Sequence, residues 1–104
     1  MRIISGKLKR RKLLSVPGSD TRPTSDRIRE SVFNILGDTI HGRAVLDVFA
    51  GTGALGIESL SRGADTCTFV DCSVKAVHTL KKNIESCGLE KESIVLCHDI
   101  NRKP

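Results

Sequence analysis

Residues 47–56, Asp-Val-Phe-Ala-Gly-Thr-Gly-Ala-Leu-Gly, hold one acid and three glycines at a spacing that can build a small-molecule site. Gly51 permits a turn that a side chain would hinder, and Gly53 lets a ligand come close to the backbone. Gly56 would let a following helix sit close to a sheet. The unpaired N–H groups at the start of such a helix favour an electron-rich ligand group. The glycines satisfy G-x-G-x-x-G, and Asp71 follows Gly51 by twenty residues, which is also the spacing of a dinucleotide site. Glycines alone leave the ligand open.

Two ligands compete, a nicotinamide dinucleotide and S-adenosylmethionine, and Asp47 bears on the choice. Its charge would repel the phosphates of a dinucleotide seated on the turn. S-adenosylmethionine carries an ammonium and a sulfonium and no phosphate, so the same charge attracts it. The alternative role for Asp47 is structural, a carboxylate that only accepts backbone hydrogen bonds. Asp71 can accept from both ribose hydroxyls, and Asp99 from the adenine amine, with Ile100 against the ring. All three acids are expected just past the carboxyl ends of strands, the edge where open α/β sheets bind ligands. With their neighbours they give a candidate cofactor set of Asp47, Phe49, Gly51, Thr52, Gly53, Asp71, Cys72, Asp99 and Ile100.

These residues need a scaffold, and the pattern around them implies one. Residues 44–49 read as a buried strand, and 54–62 as a helix stopped by Gly63. Residues 67–70 read as a second strand and 94–97 as a third. Between them, 74–87 reads as a helix capped by Ser73 and closed by Gly88, with Val74, Val77, Leu80, Ile84 and Cys87 as its buried stripe. This alternation implies an α/β fold, a parallel sheet with right-handed crossovers. Three strands do not complete a doubly wound domain. The ending Asn101-Arg102-Lys103-Pro104 reads as a loop leading into something further, so a truncated product is expected.

Upstream, residues 2–5 and 11–16 are short extended segments joined by a basic stretch, which predicts a β-hairpin. A loop is expected over 17–23. A helix follows over 25–36, with Thr24 as N-cap and Gly37 as its end. Ile28, Val32, Ile35 and Leu36 fall on one face of that helix, the face expected to be buried. The chain thus divides into a basic hairpin and helix (1–43) and a partial ligand-binding domain (44–104).

Charge follows the same division. Residues 1–43 carry ten Lys and Arg against four Asp and Glu, whereas 44–104 carry seven against eight. The run Lys7-Leu8-Lys9-Arg10-Arg11-Lys12 holds five cations in six positions, the footprint of a polyanion partner. A solvated hairpin that protects a sheet edge is the plainer reading of the same charges. The 104 residues fit one small domain. No apolar run approaches the roughly 20 residues needed to span a bilayer, and the first residues lack a secretory pattern, so a cytoplasmic protein is expected. The four cysteines, 67, 72, 87 and 97, contain no C-x-x-C pair; reduced, mostly buried thiols and no metal site are expected.

Three segments together resemble the bacterial 16S ribosomal RNA guanine-N2 methyltransferase family. They are Arg2-Ile3-Ile4-Ser5-Gly6-Lys7 with Arg11-Lys12-Leu13; Thr21-Arg22-Pro23-Thr24-Ser25-Asp26-Arg27 with Glu30, Phe33 and Asn34; and residues 46–58 with Leu60-Ser61-Arg62. The resemblance runs from Arg2 to about Asp99. It implies a Rossmann-like class I methyltransferase fold, S-adenosylmethionine as donor and 16S ribosomal RNA as partner. By motif position Asp47, Gly51 and Gly53 would line the methionine end, Asp71 the ribose and Asp99 the adenine. The 21–27 segment would lie beside the cofactor and the incoming base. Candidate RNA contacts are then Lys7, Lys9, Arg10, Arg11, Lys12, Arg22, Thr24 and Arg27, with pairing to Glu30 at helical spacing as the alternative role for Arg27.

The chain departs from the family twice. Relatives usually have Gly where this chain has Arg10. The family's catalytic signature, Asn or Asp followed by Pro-Pro and an aromatic residue, is absent from residues 1–104. By the resemblance it belongs after a fourth strand, beyond Pro104. That motif would accept hydrogen bonds from the guanine amine and stack on the displaced base. The chain is therefore expected to carry the cofactor-binding half, with no catalytic residue and no turnover of its own. The other readings are a DNA adenine-N6 methyltransferase fragment, a nicotinamide-binding oxidoreductase domain and a non-enzymatic RNA-binding fragment.

Overall fold

The computed structural model describes residues 1–17 and 26–99. The loop expected to end at Pro104 lies outside the described residues, as does most of the one expected over 17–23. Helix α1 spans Asp26–Leu36 and runs into a 3-10 turn, Gly37–Ile40. Strand β1 (Ala44–Asp47) leads through the glycine loop into α2 (Ala54–Ser61). Strand β2 (Thr66–Asp71), helix α3 (Val74–Ser86) and strand β3 (Ser93–Cys97) complete the order. The three strands form one parallel sheet, β1-β2-β3, with Asp47 beside Phe69 and Asp71 beside Cys97. The alternation of strands and helices read from the sequence is the one observed. None of the described helices is long and apolar enough to cross a membrane.

The core lies between the sheet and helices α2 and α3, where Ile57, Leu60, Leu80 and Ile84 meet Cys67 and Phe69. A methyl group added at Gly56 would fall 2.3 Å from the Phe69 ring and 2.7 Å from Cys67 Sγ. The third glycine of the motif thus sets the helix-to-sheet distance, as its position predicts. Ser73 caps α3 by accepting from the Ala76 N–H at 3.2 Å, and Gly88 follows the helix with φ of 66°. Both are the roles expected of them.

The N-terminal segment is a hairpin, bridged at Arg2 and Lys12. Ile3 N–H donates to the Arg11 carbonyl at 2.9 Å, and Leu13 N–H to that of Met1 at 2.9 Å. Its apolar side chains Ile3 and Leu13 are buried in the same core as Ile57 and Leu80. The hairpin is therefore packed against the helices and does not project from them.

Several burial expectations fail, each for a local reason. On α1 the apolar stripe Ile28, Val32, Ile35 and Leu36 is exposed, Ile35 to 85%. The buried positions of α1 are Arg29 and Phe33, because α1 meets α2 through an ion-paired contact and not through its apolar face. Strand β1 is shorter than expected, and its Ala44 and Leu46 are exposed. Leu46, Ile94 and Leu96 lie on the sheet face opposite α2 and α3 and are exposed together. Val74 is exposed at the first turn of α3, while the rest of its predicted stripe is buried. All four cysteines are free, but only Cys67 and Cys87 are buried.

Candidate functional site

Because the strands are parallel, Asp47 and Asp71 end adjacent strands at one edge of the sheet, and Asp99 follows the end of β3 by two residues. Asp71 is engaged on both oxygens. Its Oδ2 accepts from the Gly51 N–H at 2.9 Å and its Oδ1 from the Ser73 N–H at 2.9 Å. Asp71 thus ties the glycine turn to the end of β2.

Asp47 is placed differently. The backbone amides of Gly56 and Phe49 favour its charged form. Its Oδ2, however, is buried and has no hydrogen-bond partner. Burial holds its carboxyl above the ordinary carboxylate range, and the nearby negative Asp71 adds to the rise. The Cys67 thiol is pushed up to about 12, mainly by burial, with the Asp47 charge adding. A buried carboxylate oxygen without a donor costs free energy, and a cationic ligand group is what would offset that cost.

The two glycines of the turn have different reasons to be glycine. Gly53 has φ of 86°, and a methyl group there would meet Leu80 Cδ1 at 2.4 Å. Its close approach is to α3, inside the protein. Gly51 has φ of 55° with nothing within 4 Å of an added methyl. The open side of the turn is therefore at Gly51.

Phe49, beside this opening, is 75% exposed, and Cys72 is exposed at the end of β2. Thr52 faces the hairpin: its carbonyl accepts from Asn83 Nδ2 at 2.8 Å and its hydroxyl lies 3.7 Å from Met1 Sδ. Asp99 is half-buried. Ile100, Arg22 and Thr24 lie outside the described residues.

Lys7, Lys9, Arg10, Arg11 and Lys12 are all exposed. They sit toward the end of α2 away from the glycine loop. Lys7 N–H donates to the Ser61 carbonyl at 2.9 Å, at the last residue of α2. Arg11 Nη1 donates to the Ser86 carbonyl at 3.1 Å, at the last residue of α3. Eight residues of α2 separate tip from turn by about 12 Å. Arg27 is exposed on α1; the ion pair of that first turn is made by Arg29 with Asp26.

Sequence reasoning missed the polar residues that hold these parts together. Glu58, fully buried on α2, accepts from Ile4 N–H at 2.8 Å and Ser5 N–H at 3.0 Å. It also pairs with the buried Arg29 at 3.5 Å and with Arg62 at 2.9 Å. The Arg62 guanidinium stands 4.6 Å over the Phe33 ring. Asn83 does the matching work on α3, with three hydrogen bonds to Leu14 and Thr52. The available signal is a charged or amide residue on the apolar side of a predicted helix.

An acid–glycine turn at the carboxyl edge of a parallel sheet, with acids ending the next strands, is the Rossmann-like class I methyltransferase arrangement, and the solved structures similar to this chain have that fold. The chain belongs to the family described as Conserved hypothetical protein 95, whose model matches residues 1–103. It is 48% identical over 98% of its length to the "Putative rRNA methyltransferase YlbH" of Bacillus subtilis, covering 55% of that protein. It is 40% identical over 91% of its length to "Ribosomal RNA small subunit methyltransferase D" of Haemophilus influenzae, covering 50% of it. Among solved structures, "Putative methyltransferase yhhF" from Escherichia coli superposes with a TM-score of 0.85 at 38% identity. That match covers 95% of this chain and 52% of the other. The chain spans about half the length of the curated relatives it matches.

Proposed function

We propose that the chain holds S-adenosylmethionine at the carboxyl edge of its sheet and docks 16S ribosomal RNA with its basic hairpin, for methyl transfer to the exocyclic N2 of a guanine. The observation that carries this reading is the buried, unpartnered Oδ2 of Asp47 beside the open side of Gly51. A cationic ligand group satisfies that oxygen and a diphosphate does not. The nicotinamide alternative loses further support at Gly51, whose N–H is already given to the Asp71 carboxylate. A phosphate on the turn would meet two acids and one fewer donor. Ribosomal RNA as the polyanion is supported by the names of the relatives and by the five exposed hairpin cations.

In this reading Asp47 and the open turn orient the methionine end, Asp71 the ribose and Asp99 the adenine. S-adenosylmethionine supplies an electrophilic methyl on its sulfonium. The chain's own contribution is placement of donor and RNA, which accounts for a large share of such catalysis. Residues 1–104 contain no Asn-or-Asp-Pro-Pro-aromatic segment to accept the guanine amine, so the chain by itself is expected to bind without turnover.

Calorimetric titration with S-adenosylhomocysteine and with NAD tests the cofactor, and binding of NAD alone would overturn the reading. Methylation assays on small-subunit RNA and on DNA, with a full-length relative alongside, separate guanine N2 from DNA adenine. A rate from this chain near that of the relative would refute the expected lack of turnover.

A further inference from the structure

The amide of Asn83 is fully buried where three segments meet. Its Oδ1 accepts from the Leu14 N–H at 2.7 Å, and its Nδ2 donates to the Leu14 carbonyl at 3.0 Å. The same Nδ2 donates to the Thr52 carbonyl at 2.8 Å, inside the glycine turn. One planar group thus pairs with the outgoing strand of the hairpin as a neighbouring strand would, while gripping the turn with its remaining hydrogen. The incoming end of the hairpin reaches the same residue, with Met1 Sδ 3.7 Å from the Thr52 hydroxyl.

The hairpin is therefore anchored at both ends of α2, and along α3 within the last turns of the helix. Its cationic tip is fastened at the last residues of α2 and α3, through Ser61 and Ser86. Its base is fastened to the glycine turn through Asn83. Because Asn83 is buried, water cannot readily replace its bonds, and the link is stiff. A restraint on the hairpin at Leu14 would reach Thr52 through this one amide.

We propose that Asn83 is a positioning residue through which RNA docked on the hairpin orders the glycine turn and raises its affinity for the methyl donor. The inference rests on the cofactor and RNA reading given above. The coupling is a shared ordering cost: the first ligand to bind settles the turn, and the second binds a turn already settled. It is reciprocal, so donor binding raises RNA affinity by the same factor.

The test measures S-adenosylhomocysteine affinity of the 104-residue chain by calorimetry, with and without a saturating small-subunit RNA fragment. The unaltered chain is expected to bind the cofactor product about fivefold tighter with RNA present, the low end of common couplings. In Asn83→Asp, which keeps the acceptor for Leu14 but turns an oxygen on both carbonyls, that ratio is expected to fall to about one. A purely structural role would shift both affinities and leave the ratio unchanged, and an unchanged ratio overturns the proposal. A ratio of one in the unaltered chain, with both ligands bound, overturns it as well and leaves the cofactor reading standing. No binding of the cofactor product at all overturns both. Should the variant not fold, hydrogen exchange on the unaltered chain decides: RNA is expected to slow exchange at the Thr52 and Gly53 amides, and unchanged rates there overturn the proposal.

Discussion

Glu58, fully buried, and Asp47, half-buried with a buried Oδ2, lie eleven residues apart, and their surroundings are opposite. Glu58 has each oxygen occupied, by the amides of Ile4 and Ser5 and by Arg29 and Arg62. Asp47 has one oxygen without a partner. A buried acid that is fully matched belongs to the architecture, because every donor it needs is already in the chain. A buried acid left half-matched keeps a standing cost that only something from outside can remove. The contrast separates the part of the molecule that holds the hairpin from the carboxyl edge of the sheet, where the donor is proposed to bind.

The largest effect should come from breaking the matched site. Glu58→Ala leaves the buried Arg29 with only the exposed Asp26 as ion-pair partner and frees two hairpin amides. Removing one partner of a buried pair typically costs about 3–5 kcal/mol, and for a domain of this size that is much of the total. Urea denaturation should show a lower midpoint or no folded baseline. A loss below about 1 kcal/mol would mean that Glu58 is not the clasp its geometry describes.

Asp47→Asn should do the reverse, sparing the fold and losing the ligand. Its carboxyl is raised by burial, so the folded state favours the protonated acid. Stability from this group is therefore highest below the unfolded value and falls as pH rises through the raised folded one. The amide removes that penalty, and near neutral pH the variant should be at least as stable as the parent. Affinity for S-adenosylhomocysteine should fall about tenfold to a hundredfold, the worth of a hydrogen bond to a charged group. For the unaltered chain, affinity should weaken on acidification at a pH above that of an ordinary aspartate. A variant that loses stability but keeps its affinity would erase the distinction between the two acids.

How far this contrast is legible in the sequence depends on which residues are considered. The strand order and the turn are readable, because glycine spacing and the 44–97 alternation are local signals. Gly56 can be assigned its packing role for the same reason. Gly53 cannot, since only the Leu80 side chain of α3, far along the chain, shows that its tight face is internal. The face of α1 is misread because Arg29 looks like a surface residue until Glu58 is set opposite it. Asn83 is invisible for the same reason: a lone amide on a helix has no pattern. Pairings across 54 or 69 residues are tertiary facts, and periodicity carries no trace of them.

A smaller effect tests the hairpin as a docking device as opposed to a clasp. Lys9→Glu with Lys12→Glu reverses two exposed charges, and neither side chain takes part in the hydrogen bonds of Glu58 or Asn83. Thermal stability should change by no more than about 0.5 kcal/mol. RNA affinity should drop, and the slope of log affinity against log salt should flatten by roughly two contacts. An unchanged slope would return the basic run to its plainer role as a solvated hairpin.

The smallest expected effect lies at Arg10, which is also where the chain departs from its resemblance to the family. Its φ is 74°, the one positive value outside glycine in the described residues. A side chain in that region costs about 1 kcal/mol relative to glycine, so Arg10→Gly should stabilise the folded chain by up to that amount. The gain is reduced by the greater freedom glycine gives the unfolded chain. Against it stands the loss of an exposed cation from the hairpin tip, which should weaken RNA binding and reduce the salt slope by about one. The substitution therefore sets turn geometry against charge at a single position. Tighter RNA binding by the glycine variant, at unchanged salt slope, would show that tip shape matters more than tip charge, and would move the RNA contact away from Arg10 itself.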